Sequence, residues 1–290
     1  MFSIKKAFLF VLLLGAGFNA SAARKQKVNI WAGIPAMYGQ HVTMEITVPD
    51  KPNGTAVIIC PGGSYHHLGL FAEGRKTAKW FAKQGIVACL LLYRVAQYGY
   101  HYPAPMQDIQ RAIQFVRERD KELGIDMHKV GLIGYSAGGH LVAWAGAFAG
   151  RCDELAKIGI QSEISLRPDF VISVYPVVSM QDDIAHAWSR KSLLGKLPTQ
   201  EQKDLFSLEM QIPVDMPPVY LVACKDDPVV IYENSVRLYA AFLAQGIPCK
   251  FASYDQGGHG FGMKDSDFMR ASHWNEALAA WLKGLAFLNE

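Results

Sequence analysis

A serine, an aspartate and a histidine, the residue types that covalent acyl transfer uses, occur along this chain after successive apolar, strand-like runs. Ser136 is the centre of Gly134-Tyr-Ser-Ala-Gly138, which follows an apolar run and precedes a stretch of small residues. A strand, a sharp turn and a helix in succession are typical of a nucleophile elbow, in which a serine exposes its hydroxyl at the end of a strand. The two glycines fit this prediction because a Cβ atom at either position would collide with a neighbouring strand or helix.

A serine nucleophile needs a base that takes its proton and a carboxylate that orients the base. Asp226 and Asp227 directly follow an apolar, strand-like run that ends at Cys224. His259 follows the last strand-like run, within a glycine-rich loop. Each would separately be an ordinary turn or loop residue, but their joint occurrence after successive strands favours catalysis. Asp227 is preferred because Asp-Pro-Val-Val resembles the usual acid loop of such sites, and Asp226 remains the alternative.

Acyl transfer also needs hydrogen-bond donors for the oxyanion of the tetrahedral intermediate. The elbow would supply the backbone N–H of Ala137. The loop Cys60-Pro-Gly-Gly-Ser-Tyr-His66, after an earlier strand, would supply a second donor from Gly63 or Ser64. Which of these two points inward stays open, and the alternative is an ordinary glycine turn.

Three side chains near the predicted pocket are candidates for substrate binding. Tyr65 and His66 lie in the same glycine loop, and Tyr175 ends a later strand. The two tyrosine rings would either stack on a sugar or line the core, and the sequence favours neither.

A metal-assisted reaction has little support in the sequence. Asp182, Asp183 and His186 lie close together in a polar segment, but nothing completes them as a metal cluster. We therefore expect a site without a metal ion. Asp108, in a helix-like segment, is expected to brace that helix rather than to react.

Short apolar runs rich in β-branched residues alternate with longer helix-like segments. The alternation predicts an α/β fold with a mostly parallel central sheet and helices on both faces. Strands are predicted at residues 42–48, 56–60, 86–93, 130–133, 169–175, 218–223 and 248–254, the first as an edge strand. Helices are predicted at residues 73–84, 105–123, 139–149, 233–245 and about 272–287. Residues 179–210 are polar and without strand signal, which predicts a small cap or long-loop excursion over the active edge of the sheet.

The first 22 residues have the pattern of a secretory signal peptide. Lys5 and Lys6 precede an apolar run at residues 7–17, and Ala20-Ser-Ala22 supplies small residues for cleavage. The apolar run is too short for a stable membrane anchor. We expect export to the periplasm or the exterior, and a single domain at residues 23–290.

The composition excludes several classes of partner. The 290 residues carry 29 Lys and Arg and 26 Asp and Glu, and two of the lysines lie in residues 1–22. Residues 23–290 therefore have a balance of 27 − 26 = +1, so neither nucleic acid nor a membrane surface is an expected partner. Half of the residues are apolar, which indicates a compact globule. The five cysteines are odd in number and lack metal-site spacing.

With these residues placed, the chain resembles the α/β-hydrolase esterases known as acetylxylan esterases or xylanase-associated lipases of polysaccharide-degrading Bacteroidetes-type bacteria. The motifs that carry the resemblance are spread over most of residues 23–290. They are Val57-Ile-Ile-Cys-Pro-Gly-Gly-Ser-Tyr65, Pro103-Ala-Pro-Met-Gln-Asp-Ile-Gln-Arg-Ala-Ile113, Gly134-Tyr-Ser-Ala-Gly-Gly-His140, Arg167-Pro-Asp-Phe170, Tyr175-Pro-Val-Val-Ser179, Ser189-Arg-Lys-Ser-Leu-Leu-Gly195 and Gly257-Gly-His-Gly-Phe-Gly262.

The resemblance implies an α/β-hydrolase fold and a secreted serine esterase that removes O-acetyl groups from plant polysaccharide or oligosaccharides without a cofactor. It implies that Ser136, Asp227 and His259 are nucleophile, acid and base. Position 64 is often glycine in that family and is serine here. Two alternatives stay open: a broad carboxylesterase or peptidase with the same triad, and a non-catalytic carbohydrate-binding protein on this fold.

Overall fold

The computed structural model describes residues 23–289 of the chain. The predicted signal peptide, residues 1–22, lies outside the described residues. Within residues 23–289, no helix is both long and apolar enough to cross a membrane.

The described residues form one eight-stranded sheet. Its strands are β1 Arg24–Asn29, β2 Thr43–Val48, β3 Gly54–Cys60, β4 Val87–Leu91, β5 Ile125–Tyr135, β6 Val171–Val174, β7 Val219–Cys224 and β8 Cys249–Tyr254. The order across the sheet is β1-β2-β4-β3-β5-β6-β7-β8. β2 pairs antiparallel with both β1 and β4, and the remaining neighbours are parallel.

Helices connect the parallel strands. The α-helices of the described residues are α1 Lys76–Lys83, α2 Ala104–Arg117, α3 Asp120–Leu123, α4 Ala137–Phe148, α5 Ala187–Leu194, α6 Gln200–Phe206, α7 Glu233–Ala244, α8 Asp267–Ser272 and α9 Trp274–Gly284. A π-helical turn, Leu70–Arg75, leads into α1.

Successive side chains of the central strands enter two separate hydrophobic cores. In β3, Ile58 and Cys60 belong to one core, and Val57 and Ile59 belong to the other, because side chains of a strand alternate between the faces of the sheet. Apolar residues of α2, α4 and α7 complete the first core, and those of α1 and α9 complete the second. The predicted α/β fold, with a mostly parallel sheet and helices on both faces, is confirmed.

The predicted edge position of the strand at residues 42–48 is wrong. β2 is the second strand of the sheet, since β1 pairs along its outer side. The β1 sequence is Arg-Lys-Gln-Lys-Val-Asn, and its side chains are exposed or half-buried. The backbone ladder holds this strand in place, so no apolar alternation marks it in the sequence.

One long predicted helix is interrupted. The segment at residues 105–123 forms α2 and then the short α3. The predicted terminal helix at about residues 272–287 corresponds to α9, and the short α8 precedes it, separated from it by His273, whose φ of 49° is left-handed. The predicted helix at residues 73–84 starts earlier, as the π-helical turn, which carries Glu73.

The polar segment between β6 and β7 contains the two short helices α5 and α6. Thr199 and Gln202 form a capping box that begins α6. The segment is held against α4, because Nε2 of His140 donates a hydrogen bond to the carbonyl oxygen of Phe206 at 2.8 Å.

Candidate active site

The turn between β5 and α4 has the geometry of a nucleophile elbow. Ser136 has φ 53° and ψ −119°, a strained backbone that costs a residue with a side chain about 1–3 kcal/mol. Its N–H donates to the carbonyl of Val174 at 3.0 Å, and its own carbonyl accepts the N–H of His140 at 3.1 Å. The surrounding strand and helix therefore hold the strained turn in place.

The two glycines of the elbow are required by close backbone approach. A Cβ atom at Gly134 would lie 2.0 Å from the carbonyl oxygen of Gly138. A Cβ atom at Gly138 would lie 2.1 Å from the carbonyl oxygen of Cys60. The crossing of β3, β5 and α4 thus leaves room for hydrogen alone at both positions, which is the reason that the sequence suggests.

The structure pairs His259 with Asp227. Nδ1 of His259 donates to Oδ2 of Asp227 at 2.6 Å, and the aspartate is buried. The other oxygen of Asp227 accepts the N–H groups of Val229 and Val230 at 2.8 and 2.9 Å. These bonds fix the carboxylate, so it can orient the imidazole and stabilise the imidazolium.

Asp226, the alternative acid, has a different role. Its carboxylate accepts the N–H groups of Gly257 and Gly258 at 3.2 and 2.8 Å. These amides hold the pKa of Asp226 below its usual range. Asp226 therefore anchors the glycine-rich loop that carries His259, and Asp227 contacts the ring.

Ser136 and His259 line one cavity of about 520 Å³. Gly63 and Ser64 line the same cavity. None of the hydrogen bonds among residues 23–289 involves the Ser136 hydroxyl. Ser136 and His259 therefore face the same cavity without a hydrogen bond between them. Catalytic hydrogen bonds are often long without substrate and tighten in the reacting complex.

The predicted oxyanion donors are unengaged. Gly63 and Ser64 have φ of 125° and 58°. No backbone hydrogen bond within the described part of the chain is donated by the amides of Gly63, Ser64 or Ala137. Ala137 is the first residue of α4, and the amides of a first helical turn lack partners within the helix and favour negative charge. All three amides remain candidates for the oxyanion hole.

A buried glutamate that the sequence does not signal supports both sides of the site. Glu73 is 8% exposed and lines the cavity. Its Oε2 accepts the N–H of Gly62 at 2.8 Å, and its Oε1 accepts the hydroxyl of Tyr175 at 2.9 Å. Burial raises the pKa of Glu73, and these two donors together with the nearby His259 act against the rise.

The sequence leaves open whether Tyr65 and Tyr175 stack on a sugar or line the core, and in the structure both rings lie in the core. Each is 1% exposed, so neither ring is open to a sugar. Tyr65 donates its hydroxyl hydrogen bond to Nδ1 of His140 at 2.8 Å. Tyr175 packs its ring 4.5 Å from the ring of His259, and its oxygen accepts the N–H of Gly262 at 3.1 Å. Both tyrosines are therefore buried side chains that contact neighbouring residues of the site.

His66, the third substrate-binding candidate, is partly exposed. Its ring lies 5.2 Å from the ring of Trp188 in α5. The position of Trp188 beside the glycine loop could not be inferred from the sequence, because the two segments are far apart along the chain.

The acidic residues of the predicted cap are engaged in ion pairs. Asp182 lies 2.6 Å from Arg190 and 2.8 Å from Lys203, and Asp183 lies 2.7 Å from Arg237. Within residues 23–289, no group of three or more His, Cys, Asp or Glu side chains could hold a metal ion.

Asp108 braces its surroundings, as its sequence context suggests. It is fully buried and lies 2.9 Å from Arg94. It also accepts the indole N–H of Trp31 at 2.8 Å.

A larger cavity of about 900 Å³ lies between α1 and the first two strands. Lysine and arginine side chains surround much of it, and Phe71 lines both cavities. The smaller cavity is the candidate active site, because Ser136 and His259 line it.

Comparison with protein families gives one match over most of the chain. Residues 44–242 match the BD-FAE family. This range contains the elbow, the glycine loop and Asp227, and it ends before His259.

Two relatives have names that refer to xylan. The chain is 30% identical over 279 residues to an acetylxylan esterase of Xylanibacter ruminicola, covering 95% of this chain and 54% of the relative. It is 32% identical over 229 residues to endo-1,4-beta-xylanase B of Butyrivibrio fibrisolvens, covering 78% of this chain and 35% of the relative. The chain thus spans about half the length of the first relative and about a third of the second.

Solved structures share the fold. An acetyl ester-xyloside bifunctional hydrolase from Caldicellulosiruptor lactoaceticus has a TM-score of 0.81 at 29% identity, over 93% of this chain and all of that one. The propionate-bound esterase Est2 from Thermogutta terrifontis has a TM-score of 0.76 at 22% identity, over 92% of this chain and 96% of that one. The predicted α/β-hydrolase fold is confirmed by these matches.

Proposed function

Since this chain belongs to the BD-FAE family of α/β-hydrolases, we propose that it is an exported serine esterase that removes acetyl groups from plant polysaccharide or its oligosaccharides. The relationship to acetylxylan esterases predicted from its motifs is confirmed by the match to one of them. The observation that carries the proposal is the Asp227–His259 pair, which is hydrogen-bonded at 2.6 Å beside the cavity that Ser136 lines.

The reaction proceeds through an acetyl-enzyme. His259 takes the proton of Ser136, whose oxygen attacks the acetyl carbonyl, while Asp227 stabilises the imidazolium. The oxyanion is held by the amide of Ala137 and an amide of the Gly63–Ser64 loop. The carbon–oxygen bond to the sugar breaks, and the sugar oxygen takes the proton from His259. Water, deprotonated by His259, then attacks the acetyl-enzyme and releases acetate.

The names of the relatives support the choice of substrate. One is an acetylxylan esterase, and the bifunctional structural neighbour is an acetyl ester-xyloside hydrolase. A cavity of about 520 Å³ accommodates a small acyl group, whereas a polymer must remain largely outside it.

The decisive experiment measures acetate released from acetylated xylan by the purified protein. Esters of longer acids and peptide substrates are assayed beside it, with Ser136→Ala as the control for the nucleophile. We expect acetate release that Ser136→Ala abolishes. Preferred hydrolysis of longer esters or of peptides would instead indicate a broad carboxylesterase or a peptidase. Sugar binding without hydrolysis would indicate a non-catalytic protein.

Export is a separate part of the proposal. It rests on the pattern of residues 1–22 in the sequence. Expression of the full chain in a Gram-negative host, followed by fractionation and N-terminal sequencing, tests it. We expect a protein outside the cytoplasm that begins near Ala23, and a full-length cytoplasmic protein would contradict export.

A further inference from the structure

Three rings form an exposed group at the edge of the active-site cavity. The ring centres of His66 and His67 lie 5.2 and 5.7 Å from that of Trp188, and those of the two histidines lie 6.1 Å apart. Trp188 is 48% exposed, and His67 is also exposed. We call His66, His67 and Trp188 the aromatic shelf.

The aromatic shelf is joined to the catalytic centre through the glycine loop. His67 lines the cavity that contains Ser136 and His259. The N–H groups of His66 and His67 both donate to the carbonyl of Gly63 at 2.9 Å. His66 and His67 therefore belong to the same tight turn as Gly63 and Ser64, which carry candidate oxyanion amides, and a group resting on the shelf lies beside the cavity mouth.

Trp188, the part of the shelf that α5 carries, lies next to the cavity through its contact with His67. His67 lines the cavity, and its ring centre lies 5.7 Å from that of Trp188. The shelf therefore extends from the edge of the cavity to the start of α5.

The helix that carries Trp188 is fixed in place. Ser189 and Leu193 of α5 are fully buried. Arg190 donates to the carbonyl of Met180 at 2.9 Å and lies 2.6 Å from Asp182. Because α5 is anchored on both sides, the exposed indole is presented from a rigid element, and binding against it requires little additional ordering.

An exposed indole at a cavity mouth fits an amphipathic ring. The electron-rich face of an aromatic ring attracts groups with a positive edge. The C–H face of a pyranose offers apolar area with slightly positive hydrogens, and its hydroxyl groups remain in water. The two imidazoles can exchange hydrogen bonds with those hydroxyls.

We propose that the aromatic shelf is a subsite for a pyranose ring of the saccharide part of the substrate. The acetyl group enters the cavity, and the sugar that carries it, or a neighbouring sugar, packs against Trp188. This inference rests on the proposed function, since it assumes a saccharide ester, and it adds the residues that select the saccharide.

The experiment compares Trp188→Ala with the wild-type protein on two esters. One is an acetylated xylo-oligosaccharide, and the other is ethyl acetate, which has no ring to stack. We expect KM for the oligosaccharide to rise about tenfold, from the loss of one aromatic contact, and kcat/KM for ethyl acetate to stay within about twofold. Trp188→Phe should restore most of the loss. Tyr38→Ala, which removes a ring that is 95% exposed and is not a cavity residue, is the matched control and should change neither value.

Each other outcome is decisive. Unchanged KM for the oligosaccharide in Trp188→Ala would overturn the subsite, and so would an equal loss on both esters, because the ring would then support the catalytic centre rather than a sugar. If the wild-type protein cleaves ethyl acetate but not the oligosaccharide, the proposed function fails. The subsite is then tested by inhibition of ethyl acetate hydrolysis with unacetylated xylo-oligosaccharides. Inhibition that Trp188→Ala abolishes would support the subsite, and no inhibition of the wild-type protein would overturn it.

Discussion

The hydroxyl of Tyr175 donates a hydrogen bond to the buried carboxylate of Glu73 at 2.9 Å. The same carboxylate accepts the N–H of Gly62, and the same hydroxyl accepts the N–H of Gly262. Four groups thus form a continuous hydrogen-bonded chain from the glycine loop, which holds candidate oxyanion amides, to the loop of His259. The relative position of these two loops depends on two buried side chains that touch neither the nucleophile nor the base by hydrogen bond.

The first prediction concerns Glu73→Gln. Glutamine has nearly the volume of glutamate, but only one of its two terminal atoms accepts hydrogen bonds. Either the N–H of Gly62 or the hydroxyl of Tyr175 then faces the side-chain NH2 group, which can only donate. We expect kcat to fall about 10–100-fold through displacement of the catalytic groups, with KM within about threefold and the fold retained. Steady-state kinetics and circular dichroism measure this.

Tyr175→Phe tests the same chain from its other end. It removes one donor to Glu73 and the acceptor of Gly262, so kcat should fall in the same direction. The matched control is Tyr232→Phe, which removes a hydroxyl that pairs with Ser253 at 2.7 Å on the surface. Unchanged kcat in both Glu73→Gln and Tyr175→Phe would refute the positioning role.

The second prediction separates the two adjacent aspartates. Asp227 contacts the imidazole, and Asp226 contacts backbone amides of the histidine loop. Asp227→Asn should lower kcat about 10³–10⁴-fold, because an amide favours the wrong imidazole tautomer. Asp226→Asn should lower it less than about tenfold, since it weakens a charge-assisted bond without changing the tautomer. Equal losses, or the larger loss at Asp226, would reject the assignment of the acid.

The reaction of a fluorophosphonate probe gives an independent measure of the same assignment. Such probes modify an activated serine. Labelling should occur at Ser136 in the wild-type protein and in Asp226→Asn, and it should be strongly slowed in Asp227→Asn. Mass spectrometry of the labelled peptide identifies the residue, and modification of another serine would contradict the site.

The parts of the site that could be predicted from sequence are those whose signals are local. The glycines around Ser136 and the turn after β7 are short motifs. Both follow parallel strands, whose carboxyl ends lie at the same edge of the sheet. Glu73 and Tyr175 could not be paired in advance, since neither has a local pattern and their contact depends on packing across the sheet edge. β1 cannot be predicted for a similar reason, because a polar strand that is held by backbone hydrogen bonds has no apolar alternation in its sequence.

The third prediction concerns His140, a buried histidine outside the predicted triad. Its Nε2 must carry hydrogen, because its partner at 2.8 Å, the carbonyl oxygen of Phe206, can only accept. Nδ1 then accepts the hydroxyl of Tyr65 at 2.8 Å in the neutral ring. Burial lowers the pKa of His140 from 6.5 to about 4. One neutral ring therefore links α4, the glycine loop and the cap segment.

The sign of the pH dependence follows from this lowered pKa. His140 binds its proton more tightly in the unfolded chain than in the folded protein. The stabilisation that the neutral, buried His140 provides is therefore complete above pH 6.5 and is lost as the pH falls through about 4. The free energy of unfolding falls by about 3 kcal/mol, which corresponds to a fall in Tm of about 6 °C. Thermal unfolding from pH 7 to pH 4 should show this fall in the wild-type protein and a smaller one in His140→Gln. A steeper fall in the variant would contradict the assignment.

The last prediction concerns the glycine that lets α4 approach β3. A Cβ atom at Gly138 would lie 2.1 Å from the carbonyl oxygen of Cys60, and this oxygen belongs to a buried strand that cannot shift without moving the sheet. Gly138→Ala should therefore lower the free energy of unfolding by more than about 4 kcal/mol and abolish activity with it. Gly284→Ala is the matched control, because its added Cβ would meet no atom within 4 Å and should leave stability within about 1 kcal/mol. Urea denaturation measures both variants. Equal stability of Gly138→Ala and Gly284→Ala would show that α4 can move away from β3 without cost. The close approach of α4 to β3 would then not be what holds Ser136 in its strained conformation.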